Sequence, residues 1–334
     1  MHKNWHTLAL SSLLCSILVS PLPVQANTAQ RQDVKAFIER LASEHDFNRG
    51  ELTRLFSQIE IQPEIIDAMN RPYEGKPWYQ YRPIFVTPAR IDEGAKFLQD
   101  NLATLKQAEQ KYGVPAEIIT AILGVETRYG RYRGKYRVVD SLATLGFDYP
   151  RRSKFFLKEL EAFLLLSREE KFDPLAISSS YAGAMGKPQF MPSSYRMYAV
   201  DFDQDGVRDL LDNSADAIGS VANYLARHGW QANQPIAIMA TASQPGPQKM
   251  GKLKKPKTPV QHWLDQGYQP GQTLAAQLPA ELIILENEQA PEYWLGLQNF
   301  YVITRYNHSE LYAMAVFQLS QAIKQQADGQ AQAK

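Results

Sequence analysis

Apolar residues recur every three to four positions through most of this chain, the spacing that turns one side of a helix toward a core. Val34, Phe37, Ile38 and Leu41 predict one helix after Gln30, and Leu52, Leu55 and Phe56 predict a second that begins near Arg49 with Asn48 as its cap, the helical pattern running to about Met69. Thr87-Pro88 predicts the start of a long helix to about Tyr112, with Ile91, Ala95, Leu98, Leu102 and Leu105 inward. Phe156, Leu160, Phe163 and Leu164 form a stripe on a helix from Ser153 to Arg168, and Ala217–Gly229 and Tyr312–Ile323 read as further helices. Strand character is confined to Leu282–Leu285 and Tyr293–Thr304, which predict a small antiparallel sheet. Arg71 to Arg90, dense in proline and aromatic rings, predicts irregular chain. Ser243–Lys257 predicts a linker or exposed loop, and the Gln- and Ala-rich tail after Gln325 is expected to fray.

The most apolar helix lies between Gly113 and Gly130. Pro115 suits its first position and Gly130 a left-handed cap after its last turn. Ile118, Ile119, Ile122 and Val125 define its buried face, and Glu126 falls on or beside that face, four residues after Ile122. A carboxyl in apolar surroundings resists ionisation and can serve as a proton donor near neutral pH. Position alone equally allows a helix-end glutamate paired with Arg128 or Arg131.

Composition adds export and neutrality. Met1–Ala26 has the form of a secretory leader: Lys3, an apolar run from Leu8 to Val19, prolines at 21 and 23, and a small-residue site at Val24-Gln25-Ala26. The run is too short to span a bilayer permanently, so cleavage after Ala26 and a periplasmic protein are expected. The single cysteine, Cys15, lies inside the leader behind Leu13 and Leu14, a context that disfavours lipidation and an outer-membrane anchor. The remaining chain holds no cysteine, so no disulfide can form. Lys and Arg number 36 against 35 Asp and Glu; with Lys3 gone the signs balance, and no basic field invites nucleic acid.

Two loops carry candidate chemistry. Ser178–Tyr195 is rich in small residues, with Ser180 and Gln189 offering uncharged groups of the sort that read hydroxyls and acetamides; a glycine-rich packing turn is the alternative. Asp201-Phe202-Asp203-Gln204-Asp205-Gly206-Val207-Arg208-Asp209-Leu210-Leu211-Asp212 matches an EF-hand loop, with oxygen ligands at Asp201, Asp203, Asp205 and Asp209, the Val207 carbonyl, and glycine at the sharp turn. Asp212 stands where a longer glutamate commonly closes the site. A solvated acidic turn is the alternative; the expected cofactor is structural Ca2+, with no organic cofactor.

Gly124–Gly130, Asp140–Leu145, Tyr149–Arg152, Ala182–Gly186, Gln189–Tyr195, the aspartate loop, Trp78–Tyr81 and Thr304–Ser309 together resemble the B family of lytic murein transglycosylases. The likeness spans about Trp78 to Val316 and is densest from Gly113 to Trp230. It implies a mainly α (α+β) fold, a lysozyme-like helical core with a helical subdomain and a small antiparallel β subdomain. The implied layout is a leader at 1–26, a helical segment with its aromatic-rich loop at 27–90, and the catalytic core at 91–230. Linker, β subdomain and return to the core would occupy 231–316, and a C-terminal helix and tail 317–334.

The resemblance also implies cleavage of the N-acetylmuramic acid to N-acetylglucosamine bond of peptidoglycan without water, leaving a 1,6-anhydromuramyl end. Glu126 matches the acid/base, and Ser180, Gln189, Tyr224, Tyr306, Asn307, Tyr312, Tyr81, Arg151 and Arg152 fall where the family lines its glycan groove. Asp201, Asp203, Asp205, Val207, Asp209 and Asp212 fall in its calcium loop. Glycan strands are the implied partner, envelope biosynthesis or division proteins are possible ones, and a monomer is the expected state. The best-known members are lipoproteins, a pattern from which this leader departs. Two alternatives stand beside this reading: a hydrolytic muramidase using Asp140 or Asp148 as a second carboxylate, and a calcium-stabilised murein-binding protein without catalysis.

Overall fold

The computed structural model describes residues 28–70, 75–244 and 253–332; the proposed leader and Cys15 lie outside them. Contacts divide the chain into two units, Met1–Gln58 and Ile59–Lys334. In the first, helices α1 (Gln32–His45) and α2 (Arg49–Phe56) bury Val34, Phe37, Ile38, Leu41, Leu52 and Phe56. Phe37 meets Phe56 edge-on at 5.9 Å, and Asn48 caps α2 by accepting the Glu51 amide at 3.1 Å.

The second unit runs α3 (Pro63–Met69), α4 (Trp78–Phe85), α5 (Pro88–Asp100), α6 (Leu102–Tyr112) and α7 (Ala116–Thr127). Then come β1 (Tyr136–Arg137), α8 (Val138–Asp148), α9 (Ser153–Glu169), β2 (Ser178–Ser179), α10 (Pro192–Tyr198) and α11 (Ser214–Arg227). It ends with β3 (Ala237–Ala242), β4 (Thr258–Pro259), α12 (Val260–Asp265), β5 (Tyr268–Pro270), β6 (Pro279–Leu285), β7 (Glu292–Gly296), α13 (Gln298–Tyr306) and α14 (Glu310–Gln332). Among the described residues no helix is long and apolar enough to cross a membrane.

Helix α7 is buried nearly all round, from Ile118 to Val125, which marks it as the centre of the unit rather than a surface helix. Helices α5, α6, α11 and α14 pack against it. The sheet is antiparallel in the order β4-β6-β7-β3-β5, with Trp294 opposite Ile283 on one side and Met239 on the other. Its own core of Val260, Trp263, Tyr268, Ala280, Leu282 and Leu295 makes it a small, separately packed layer.

Four sequence expectations need correction. Residues 78–85 form α4 despite Pro83, because Trp78, Tyr81 and Phe85 share one face that packs toward α14; in so short a helix the missing proline amide costs one bond. The long helix breaks at Asn101, whose side-chain amide donates to the Phe97 carbonyl at 2.9 Å, and Leu102 is exposed rather than inward. The strand expected at Tyr293–Thr304 stops at Gly296, and α13 follows, turned by the buried Asn299, which accepts the Gln231 amide and donates to the Gln231 and Gln234 carbonyls. The tail stays helical to Gln332, since Gln and Ala favour helix and Ile323 and Ala327 remain buried.

Candidate active site

Glu126 sits in the last turn of α7. Its side chain is half-buried, and its carboxyl lies deep enough among apolar neighbours that desolvation pushes its pKa up to about 7, against the lowering effect of a hydrogen bond from Tyr312. The Tyr312 hydroxyl, on α14, donates to Glu126 Oε1 at 2.6 Å. Neither nearby arginine neutralises the acid. Arg128 forms a two-pronged pair with Glu93 of α5 at 2.5 and 2.8 Å, and Arg131 reaches the same carboxylate at 3.1 Å. The simple ion-paired reading of Glu126 therefore falls.

The end of α7 is tightly specified. Pro115 is its cap rather than its first helical residue, and the left-handed turn begins at Arg128 (φ 51°), continuing through Tyr129 (62°) and Gly130 (91°). Two non-glycine residues in that region are costly, so something must hold them. Glu93 holds Arg128, and the Tyr129 hydroxyl donates to the Arg90 carbonyl at 2.7 Å. A Cβ on Gly124 or Gly94 would lie 2.6 or 2.4 Å from that hydroxyl, so both positions must be bare for the ring to enter between α5 and α7.

Aromatic residues close around the acid. Tyr306, at the end of α13, lies parallel to Tyr312 with centroids 6.4 Å apart, and its hydroxyl donates to the Pro188 carbonyl at 2.6 Å. Tyr224 of α11 meets Tyr306 edge-on at 4.9 Å, stacks on His228 at 4.0 Å and donates to the Arg305 carbonyl. Phe190 packs against both rings, 5.5 Å from Tyr224 and 5.7 Å from Tyr306. Burial, reinforced by the negative charge on Glu126, holds the Tyr306 and Tyr312 phenols far above their usual range, so both remain neutral donors. Tyr81 is buried between Trp78 and Phe85, close enough to Tyr312 to oppose its ionisation.

The uncharged candidates are placed less uniformly. Ser180 Oγ accepts the Ala184 amide at 3.1 Å, and Gln189, left-handed at φ 52°, donates its side-chain amide to the Gly186 carbonyl at 3.0 Å. Each therefore shapes its own loop as well as offering a polar group. Asn307 ends α13, half-buried, with no side-chain hydrogen bond to protein recorded among the described residues. Arg151 and Arg152 are exposed before α9; the Arg152 guanidinium lies over Phe155 at 4.3 Å, and no recorded contact among the described residues joins either arginine to the Glu126 cluster. Asp140 is buried but committed to Arg137 at 2.6 and 3.0 Å and to the Glu60 amide, so it is no free second carboxylate.

In the aspartate loop, carboxylate oxygens of Asp201, Asp203 and Asp205 lie within 4.8 Å of one another, a donor set that suits a hard cation. Asp201 accepts the Asp205 and Gly206 amides, and Gly206 turns the chain at φ 93°. Asp209 accepts the Leu211 and Asp212 amides. Asp212 pairs with Arg133 at 2.7 Å, so its carboxylate is engaged outside the three-acid cluster. Sequence reasoning missed Asp216, fully buried at the start of α11, which accepts the Phe202 and Asp209 amides at 2.7 Å and so staples both halves of the loop. Its signal was an acid directly before the buried Ala217-Ile218 pair. Glu93 was missed too, because its partners Arg128 and Arg131 lie far along the chain, in the turn after α7.

A family profile described as a transglycosylase SLT domain matches residues 29–321. The chain belongs to that transglycosylase family. It is 44% identical over 305 residues to membrane-bound lytic murein transglycosylase B of Escherichia coli, covering 88% of this chain and 83% of that one. It is similar to the structure of the Escherichia coli lytic transglycosylase Slt35 in complex with calcium, with a TM-score of 0.82 and 43% identity over 89% of this chain and 94% of the other. It is also similar to SltB3 from Pseudomonas aeruginosa in complex with NAG-NAM-pentapeptide, with a TM-score of 0.77 and 30% identity over 87% and 78%. The transglycosylase is thus an enzyme of peptidoglycan cleavage, and its mostly helical, lysozyme-like fold with a small antiparallel sheet agrees with the fold expected from sequence.

Proposed function

We propose that Glu126 is the single acid/base of a non-hydrolytic cleavage of murein. The observation that carries this is one carboxyl touched by a neutral phenol at 2.6 Å and lifted to about 7 by burial, with no cation paired to it among the described residues. Protonated Glu126 donates to the glycosidic oxygen as the muramyl C1–O bond breaks. The resulting carboxylate is stabilised by the Tyr312 hydroxyl and then takes the proton from the muramyl 6-hydroxyl, whose oxygen closes on C1. One proton leaves the glutamate and one returns, so no water is consumed. A positioned internal hydroxyl acts at an effective molarity on the order of 10⁵–10⁸ M, which makes a second carboxylate unnecessary.

Half-buried Tyr306 supplies a ring face toward sugar and buried Tyr81, Tyr224 and Tyr312 form the wall behind the acid, while Ser180, Gln189 and Asn307 supply groups for acetamides and hydroxyls. Arg151 and Arg152 would meet peptide carboxylates, and the relative that holds a pentapeptide-bearing fragment makes such stems the natural ligand class. Asp201, Asp203 and Asp205, with the Val207 carbonyl and Asp209, would hold a structural calcium ion, as the calcium-bound relative suggests; the ion supplies order to the loop and takes no part in proton transfer. The leader-like pattern of the first 26 residues supports a periplasmic enzyme released from its leader, and a monomer is the state we propose for it. Mass spectrometry of digested murein tests the proposal: it expects fragments one water lighter than hydrolysis products, and reducing ends would refute it.

A further inference from the structure

Lys187 joins the aspartate loop to the end of α7, beside a second link in which Arg133 reaches the Leu211 carbonyl and the Asp212 carboxylate. On one side, the Lys187 backbone amide donates to the Leu210 carbonyl at 2.8 Å, and its Nζ donates to the Asp212 carbonyl at 2.7 Å and to Ser214 Oγ at 2.8 Å. All three acceptors belong to the loop or to the residues that leave it. On the other side, the Lys187 carbonyl accepts Thr127 Oγ1 at 2.7 Å, and the next carbonyl, of Pro188, accepts the Tyr306 hydroxyl. Thr127 is buried, follows Glu126 directly, and its Oγ1 also accepts the Gly130 amide at 2.9 Å, inside the left-handed turn that ends α7. Gly186 allows the junction: a Cβ there would lie 2.5 Å from the Leu210 carbonyl oxygen.

We propose that Lys187 is a positioning residue that carries the order of the aspartate loop to Glu126 and Tyr306. The side chain does not meet substrate; it fixes the strip of backbone from which two groups of the acid's surroundings hang. A cation bound at Asp201, Asp203 and Asp205 would restrict the loop, and the Lys187 amide and ammonium would pass that restriction to Thr127 and to the turn behind it. The inference rests on the readings of Glu126 as the acid and of the loop as a cation site, and its test separates the three.

Hydrogen exchange of the full chain, with Ca2+ or with chelator, is measured for wild type, K187M and K187R alongside steady-state kinetics on murein. In wild type and K187R, Ca2+ should slow exchange about tenfold both in residues 204–212 and in residues 128–132. In K187M the first segment should still respond in full and the second by less than half as much, since the residue-187 amide and Arg133 remain. K187M should also lose about tenfold in kcat with little change in KM, the loss that chelation produces in wild type, and added Ca2+ should recover little of it. A K187M protein whose 128–132 segment responds to Ca2+ like wild type overturns the coupling alone. A wild-type loop that ignores Ca2+ overturns the cation reading and the coupling with it, while loss of turnover in wild type and variants alike on E126Q replacement leaves the acid assignment standing.

Discussion

The Tyr312 hydroxyl stands 2.6 Å from Glu126 Oε1, and this bond is what keeps a desolvated acid from rising above about 7. A neutral phenol stabilises the carboxylate without adding charge, so the acid stays close to the pH at which it must both give and regain a proton. Replacing Tyr312 with Phe removes that stabilisation while keeping the ring. A hydrogen bond to a charged group contributes about 1.5–3 kcal/mol, so the alkaline limb of kcat/KM should move up by about one to two pH units, with a lower maximal rate. A pH–rate profile that keeps its limb in Y312F would show that the bond does not set the acid's strength.

Glu126 also makes the fold depend on pH. Its folded-state pKa lies above the ordinary carboxyl value of 4.5, so between those values the folded protein holds more proton than the unfolded chain, and stability falls as pH rises through that window. Above about 7 the ionised, half-buried carboxylate costs about 2–3 kcal/mol. E126Q should therefore abolish turnover, melt higher than wild type at pH 8, and lose that advantage near pH 4. Equal melting curves at both pH values would count against burial of the charge.

Glu93 holds the turn that ends α7. Arg128 and Tyr129 occupy left-handed conformations, and the two-pronged pair at 2.5 and 2.8 Å anchors the first of them. The arginine beside Glu93 holds its carboxyl below the usual range, so the stability it contributes is present at neutral pH and is lost as pH falls through the folded-state value. E93Q should destabilise measurably in urea unfolding at pH 7, and the difference should shrink in acid.

The aspartate loop gives a prediction of its own. If Asp201, Asp203 and Asp205 hold a cation, chelation should lower the melting temperature and added Ca2+ should restore it, by mass action on the folded state. D203N should weaken calcium binding in calorimetry more than D212N, because Asp212 is engaged by Arg133.

Much of this was legible from local pattern. The apolar spacing of Ile118, Ile119, Ile122 and Val125 marked a buried helix with Glu126 at its end, and Asn48 and Thr87 announced helix starts that the structure bears out. What local pattern could not show was partnership across the chain. Tyr312 lies 186 residues from Glu126, and Glu93 lies 35 from Arg128, so only tertiary packing decides that the phenol meets the acid and the glutamate takes the arginine. Proline misled in α4, where Pro83 suggested coil while the ring spacing of Trp78, Tyr81 and Phe85 was helical. In α13 a run of β-prone residues was overridden by the hydrogen bonds of Asn299.

The state of one carboxyl decides the central claim. Carbon-13 NMR of protein labelled at glutamate carboxyl carbons, with E126Q identifying the missing signal, reads the Glu126 titration directly. A midpoint near 7 is the result this account predicts, and a midpoint near 4.5, with Glu126 ionised at neutral pH like a surface glutamate, would contradict it.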